Sequence, residues 1–296
     1  MTHPRATPTD APEPRARRSP AALVLRRPTS LVAMFVLLVF VGGAILAPVI
    51  APFDPRVQPN ADVGKNKPPS AEHLFGTDHV SRDVFSRVLY GARISLGVGV
   101  ASVLVAVTLG VLVGAVAGFA GGWFDIVAMR FVDAVLSVPR LLLLIVLRAS
   151  IGSPGIVDVI LLLGLTGWPA MSRIVRAEAR ALRARDFVLA ARATGARESR
   201  VLLHHVVPGL LPPVIVAATL ALATVIPLEA GLAFLGLGVA PPSASWGSII
   251  LDADRPADTW WLVLFPGLAI VAIVLAVNTI GDRLREALDP REHSLP

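Results

Sequence analysis

The polar stretch 186–213, DFVLAARATGARESRVLLHHVVPGLLPP, is an island of donors and acceptors in a chain that is 54% hydrophobic, with a mean hydropathy of +0.70. Arg183, Arg185, Arg192 and Arg197 surround a run of small residues, Ala190, Ala191 and Ala193. Guanidiniums are planar forks that suit carboxylates and backbone carbonyls. Alanines give a helix a thin profile, so a partner can come close. The chemistry on offer here is recognition. Two further groups fall within apolar runs, Arg140 and Glu229. Charges at membrane depth are expensive, so these two are expected either to pair or to line a polar route for solute. His204 and His205 are neighbours, which on a helix point about 100° apart and chelate poorly. His73 and His79 lie near Glu72 and Asp78, a weak constellation, and no metal site is expected.

Several chemistries are excluded. The chain has no cysteine, which removes thiolate catalysis and cysteine-ligated metals. No G-x-x-x-x-G-K-[ST] run occurs, so this polypeptide has no phosphate cradle of its own and ATP must be handled elsewhere. Neither a G-x-S-x-G serine nor a pair of intramembrane aspartates is present, which argues against a membrane hydrolase. No catalytic residue is assigned. The net charge of +6 comes almost wholly from arginine, the lysines being Lys65 and Lys67. Those arginines sit beside apolar spans, so membrane topology explains them and nucleic acid is not expected.

The elements that must carry these residues are membrane spans. A hydrocarbon core of about 30 Å takes about 20 helical residues. Six runs fit, near 31–50, 95–119, 127–147, 156–171, 214–237 and 260–280, the fourth being short and the third carrying charges. The first also suits a secretory signal, but its length and Pro48 and Pro52 favour an uncleaved anchor. Orientation follows from arginine and lysine near the span ends. Residues 1–29 hold six Arg against two acids and residues 173–205 hold eight against three, whereas 51–92 is balanced and 237–259 is acidic. Both termini and the 173–205 loop are therefore expected in the cytoplasm. Residues 1–29 read as a disordered tail. Residues 83–94 read as an amphipathic helix lying at the interface before the second span. Ala106, Gly110, Gly114 and Gly118 recur every fourth residue, a stripe that lets another helix backbone come close. Pro139, Pro169, Pro227 and Pro266 fall inside spans and are expected to kink them.

In the polar island, Asp186 reads as the N-cap of a short helix over 186–194, and Gly195 as its left-handed terminator. A second helix over 198–207 leads to Pro208 and the fifth span. Standing alone, this island also suits a basic loop on anionic membrane lipid.

The run Leu189-Ala190-Ala191-Arg192-Ala193-Thr194-Gly195, with Pro208 thirteen residues after the glycine, resembles the E-A-A-x-x-x-G…L-P loop of ABC importer permeases. Residues 73–96, HLFGTDHVSRDVFSRVLYGARISL, look like the segment ahead of the second span in the C-type permease of dipeptide and oligopeptide importers. Residues 231–248, GLAFLGLGVAPPSASWGS, are similar to that subfamily's fifth-span exit, and residues 261–291, ending GDRLREALDPR, to its last span and tail. The departures are Leu189 for the signature's glutamate, His205 for a branched aliphatic, Ser81 for a glycine, and Arg140 and Arg148 for small or apolar residues.

The resemblance covers about residues 73–292 and implies an all-α polytopic membrane protein with the six-helix fold of type I ABC importer permeases. It implies a permease core over 93–282, preceded by a first span and outer segment over 30–92 and followed by a tail over 283–296. The coupling loop would occupy about 173–212, with Asp186, Phe187, Ala190, Ala191, Arg192, Thr194 and Gly195 meeting an ATPase. Partners would be a second permease subunit in a heterodimer, two ATPase subunits carrying ATP and magnesium, and an extracytoplasmic substrate-binding protein. The expected cargo is di- or oligopeptide. The same architecture would also suit nickel, glutathione or another small solute, and an ATP-independent channel or secondary transporter is the different-class alternative.

Overall fold

In the computed structural model, residues 27–55, 64–151, 155–253 and 258–288 are described. The expected tail over 1–29 lies almost wholly outside them. Ten helices follow in order: α1 (Pro28–Ile50), α2 (Val84–Ala120), α3 (Gly122–Leu136), α4 (Arg140–Ala149), α5 (Ile156–Arg183), α6 (Asp186–Ala193), α7 (Glu198–Val201), α8 (Val207–Phe234), α9 (Trp246–Leu251) and α10 (Trp260–Leu288). No strand forms among the described residues. Five helical stretches there are long and apolar enough to cross a membrane, counting α7 through α8 as one. The protein is a multi-pass membrane protein.

The expected third span, 127–147, is not one helix but two. Pro139 has no N–H to continue α3, and its ring biases Val138 toward extended backbone, so the chain breaks and restarts at Arg140. The pair still runs the length of the bundle. Asp125 near the start of α3 meets Arg176, and Arg148 near the end of α4 donates to the Leu237 carbonyl (2.8 Å) at the opposite end.

A second difference lies at residues 83–94. These do not form a separate interfacial helix but the first turns of α2. At 37 residues and about 1.5 Å per residue, α2 is far longer than the hydrocarbon core, so it carries its amphipathic turns out beyond it. Asp83 caps it, its Oδ2 accepting from both the N–H and the hydroxyl of Ser86 (2.8 Å each). His73 binds the other oxygen of Asp83 through Nδ1 (3.0 Å), which accounts for one of the histidines considered above. Ser81, where the related pattern has glycine, adopts φ +66, the left-handed region in which glycine is comfortable.

The closest packing in the bundle is α2 against α5, and the small-residue stripe is its cause. A Cβ on Gly110 would meet the Met171 side chain at 2.5 Å, one on Gly114 the Ser172 carbonyl at 2.5 Å, and one on Gly118 the Arg176 carbonyl at 2.5 Å. Lipid offers helices no hydrophobic drive to associate, so this dispersion contact must supply it. Around that seam the core divides into three main clusters. One lies at the arginine-rich end, around Val175, Val188 and Val206. One lies at the far end, around Trp246, Ile249, Trp261 and Leu262. The third joins α2, α4, α5 and α8 through Val98, Leu144, Leu163 and Leu232. Buried indoles find acceptors: Trp246 donates to the Val88 carbonyl (3.1 Å) and Trp261 to that of Thr77 (3.0 Å).

The seam is testable with single methyl groups. Gly114→Ala is expected to destabilise the purified chain by about 1–3 kcal/mol, the usual cost of overpacking. Gly97→Ala, on the same helix with nothing within 4 Å of its Cβ, is expected to change stability by no more than about 0.5 kcal/mol. Thermal unfolding in one detergent reads both.

Candidate functional site

Helix α6 hangs from the arginine-rich end of the bundle. Asp186 is its first residue, not its cap, which is Arg185. An acid in the first turn still suits the positive end of the helix dipole. The helix closes with a Schellman motif: Gly195 turns at φ +84, its N–H donates to the Arg192 carbonyl (2.9 Å), and the Ala196 N–H donates to that of Ala191 (3.1 Å). The expected second helix over 198–207 is instead the lead-in to α8. It begins as α7 and passes through a wider, π-type turn over Leu202–Val206. There the Val207 N–H reaches back to Leu202, because Pro208 has no N–H and its ring crowds the carbonyl four residues behind. His204 and His205 sit in this turn.

One residue fixes α6 to the bundle. Val188 is fully buried, packed among Ala115, Phe119, Val175, Ala179 and Val201. Its position dictates which candidates face outward. Asp186, Phe187, Ala190, Thr194 and Gly195 are exposed. Ala191 and Arg192 turn inward. Ala191 packs on the same cluster as Val188, while the Arg192 guanidinium lies 5.0 Å over the Phe119 ring and donates to Glu198 Oε2 (2.8 Å). The outward face is apolar at its centre, with Phe187 48% and Leu189 49% exposed on a loop otherwise rich in charge.

The support beneath is ionic. Arg176 of α5 grips Asp125 of α3 with two bonds, one of them 2.6 Å, and Arg173 pairs with Asp133. The hydrogen bonds from Arg176 hold the Asp125 carboxyl below the usual carboxylate range. Arg183 donates to the Ala120 carbonyl (3.2 Å), tying the end of α5 to the end of α2.

The two charges within the spans do not pair. Arg140 is the first residue of α4, and its Nη2 donates to the Leu163 carbonyl (2.7 Å) and its Nε to Thr166 (3.3 Å), both on α5. Glu229 of α8 is fully buried and accepts from the Ser95 hydroxyl of α2 (2.9 Å). That same hydroxyl accepts the Trp246 N–H (3.2 Å) at the start of α9. Arg140 therefore spans the break after Pro139, and Glu229 belongs to the seat of α9. Each charge finds partners among groups that the sequence places far away, with Oε1 of Glu229 left without one.

Sequence reasoning missed a third polar centre, at the far end. Asp78, fully buried, receives Arg82 Nε (2.6 Å) and the Arg87 guanidinium, and both arginines also reach Asp252 at the end of α9 (3.0 and 2.6 Å). Arg87 falls within the 83–94 stretch expected to lie at the interface. The only signal available was the density of charge in 78–87, and its distant partner Asp252 carries no local cue.

Residues 110–294 match the family described as the inner membrane component of binding-protein-dependent transport systems. The chain belongs to that family. Residues 21–69 match a second description, the N-terminal transmembrane domain of oligopeptide transport permease C. Among inner membrane components, this chain is 42% identical over 292 residues, 97% of each chain, to a Brucella suis biovar 1 protein provisionally named a peptide transport system permease. It is 42% identical over 227 residues to the dipeptide transport system permease protein DppC of Alkalihalophilus pseudofirmus, covering 76% of this chain and 74% of that one. The family agrees with an all-helical, multi-pass architecture.

Separate anchoring of Arg140 and Glu229 makes a definite prediction. Arg140→Leu and Glu229→Leu are each expected to destabilise the chain, and the double variant to show their sum to within about 0.5 kcal/mol. Thermal unfolding of the four purified forms checks this, and mutual rescue would contradict the observed partners.

Proposed function

We propose that this chain is a membrane-spanning subunit of an ATP-driven importer that carries di- or oligopeptides across the cytoplasmic membrane of a prokaryote. ATP and magnesium are bound by two separate ATPase subunits, and a second permease subunit completes a heterodimer. An extracytoplasmic binding protein delivers the peptide. Both termini and α6 lie in the cytoplasm, in keeping with the excess of arginine over acids in 173–205.

The observation that carries this reading is the outward face of α6. Phe187 and Leu189 are apolar and half exposed on a helix locked at one end by a Schellman turn and at its centre by buried Val188. A rigid apolar knob in a charged loop is the form of a docking element, because aromatic anchors dominate protein interfaces. Arg192 is spent inward on Phe119 and Glu198, while Arg185, Arg197 and Arg200 stay exposed around the apolar knob. The match to peptide permeases along nearly the whole chain supports the cargo class.

Uptake of a labelled tripeptide by cells deleted for this chain and complemented with it tests the reading. Phe187→Asp is expected to cut ATP-dependent uptake at least about tenfold at unchanged membrane abundance. Uptake that persists after ATP depletion would instead favour a channel or secondary transporter.

A further inference from the structure

The ionic centre at the far end opens onto a cavity of about 490 Å³. The cavity lies between the turn ahead of α2, the end of α4, the α8–α9 connection and the end of α9. Arg82, Arg87 and Arg148 line it, with Asp252 the one carboxylate on its wall among the described residues. Asp78 stands behind, already engaged by Arg82 and Arg87. Two buried polar atoms of lining residues have no hydrogen-bond partner: Nε of Arg87, a residue only 3% exposed, and Nδ1 of His79. A buried guanidinium N–H left unpaired costs free energy, and because solvent does not reach this one, Arg87 would turn to offer it to a ligand in the cavity. Val80, Val239 and Leu251 supply an apolar wall beside these cations.

From this we infer that the cavity is a receiving site for the carboxylate of the transported solute, held by Arg82 and Arg87 with the adjoining side chain against Val239 and Leu251. The inference rests on the importer reading for the direction from which solute arrives. An anion is favoured because, among the described residues, three guanidiniums face or flank the space against two carboxylates. A carboxylate is the planar acceptor that their forked donors fit. The volume falls in the range of small-molecule sites and would take a short peptide end. Asp252 couples the site to the bundle: it bonds both arginines from the end of α9, whose other end rests on the Ser95–Glu229 pair. A solute carboxylate competing for those donors would therefore loosen α9.

The test uses the purified full-length chain in phosphatidylcholine nanodiscs and three probes, trialanine, trialanine amide and N-acetyl-trialanine, with affinities read by saturation-transfer NMR. The two acids are expected to bind, and the amide to bind at least about tenfold more weakly, the loss of a charge-assisted contact. Arg82→Gln is expected to bring trialanine down to the level of the amide. Ala240→Trp, which fills the cavity without removing a charge, is expected to weaken all three, and it keeps the test decisive if Arg82→Gln fails to fold. Equal binding of acid and amide, an acid preference that survives Arg82→Gln, or no binding of any probe would overturn the site. The last outcome would assign the arginines to an acidic side chain of a partner protein. Uptake measured in parallel separates the two readings. Peptide uptake with no carboxylate preference sinks the cavity alone, and carboxylate binding without ATP-dependent uptake sinks the importer alone.

Discussion

Helices α2 and α5 reach backbone contact only because positions 110, 114 and 118 carry no side chain. Most of the architecture follows from that seam. In hydrocarbon, apolar side chains gain nothing by leaving lipid for protein, so a bundle must be held by close dispersion contacts and by polar groups with no better partner. The seam supplies the first. It makes α2 and α5 a single spine that ends at one pole in the seat of α6 and at the other in the Asp78–Arg87 centre. Helix α6 thus rests on a spine that continues to the far end of the bundle.

The second kind of contact sits where chain continuity fails. Arg140 bonds α5 just after Pro139 breaks the third crossing, and Arg148 closes the same crossing onto the α8–α9 connection. The short helix α9 is pinned at its start through Ser95 and Glu229 and at its end through Asp252. Breaking one member of a buried ionic group leaves its partner unsatisfied, at a cost of several kcal/mol. These residues therefore read first as joints that hold irregular backbone in lipid, where open polar groups are not tolerated. In the far cavity Arg87 is such a joint, with its Nε left without a partner.

What the sequence made legible is what depends on local spacing. The glycine register announced the α2–α5 seam, and the run from Asp186 to Gly195 announced a short helix with a left-handed stop. The family pattern was readable from contiguous motifs. What was not legible depends on which way a helix rolls or where it ends. Ala191 and Arg192 looked as available to a partner as Ala190, yet burial of Val188 turns them inward. The amphipathic turns at 83–94 looked like a surface helix because periodicity cannot tell a helix lying on the membrane from one emerging out of it. Arg140 and Glu229 were natural partners by charge alone. Their real partners, a carbonyl and two hydroxyls, have no charge to advertise them.

The absence of cysteine makes the central claim directly measurable, since single-cysteine variants need no cleared background. Ala190→Cys and Ala191→Cys differ by one position on α6, one facing out and one facing the bundle. Each would be expressed in place of the native chain in its own cells, and membranes treated with a short bifunctional thiol–amine cross-linker. If α6 docks on an ATPase as described, Ala190→Cys gives a cross-linked band containing an ATP-binding subunit and Ala191→Cys does not. Equal cross-linking from both positions, or from neither, would contradict the orientation of α6 on which this account depends.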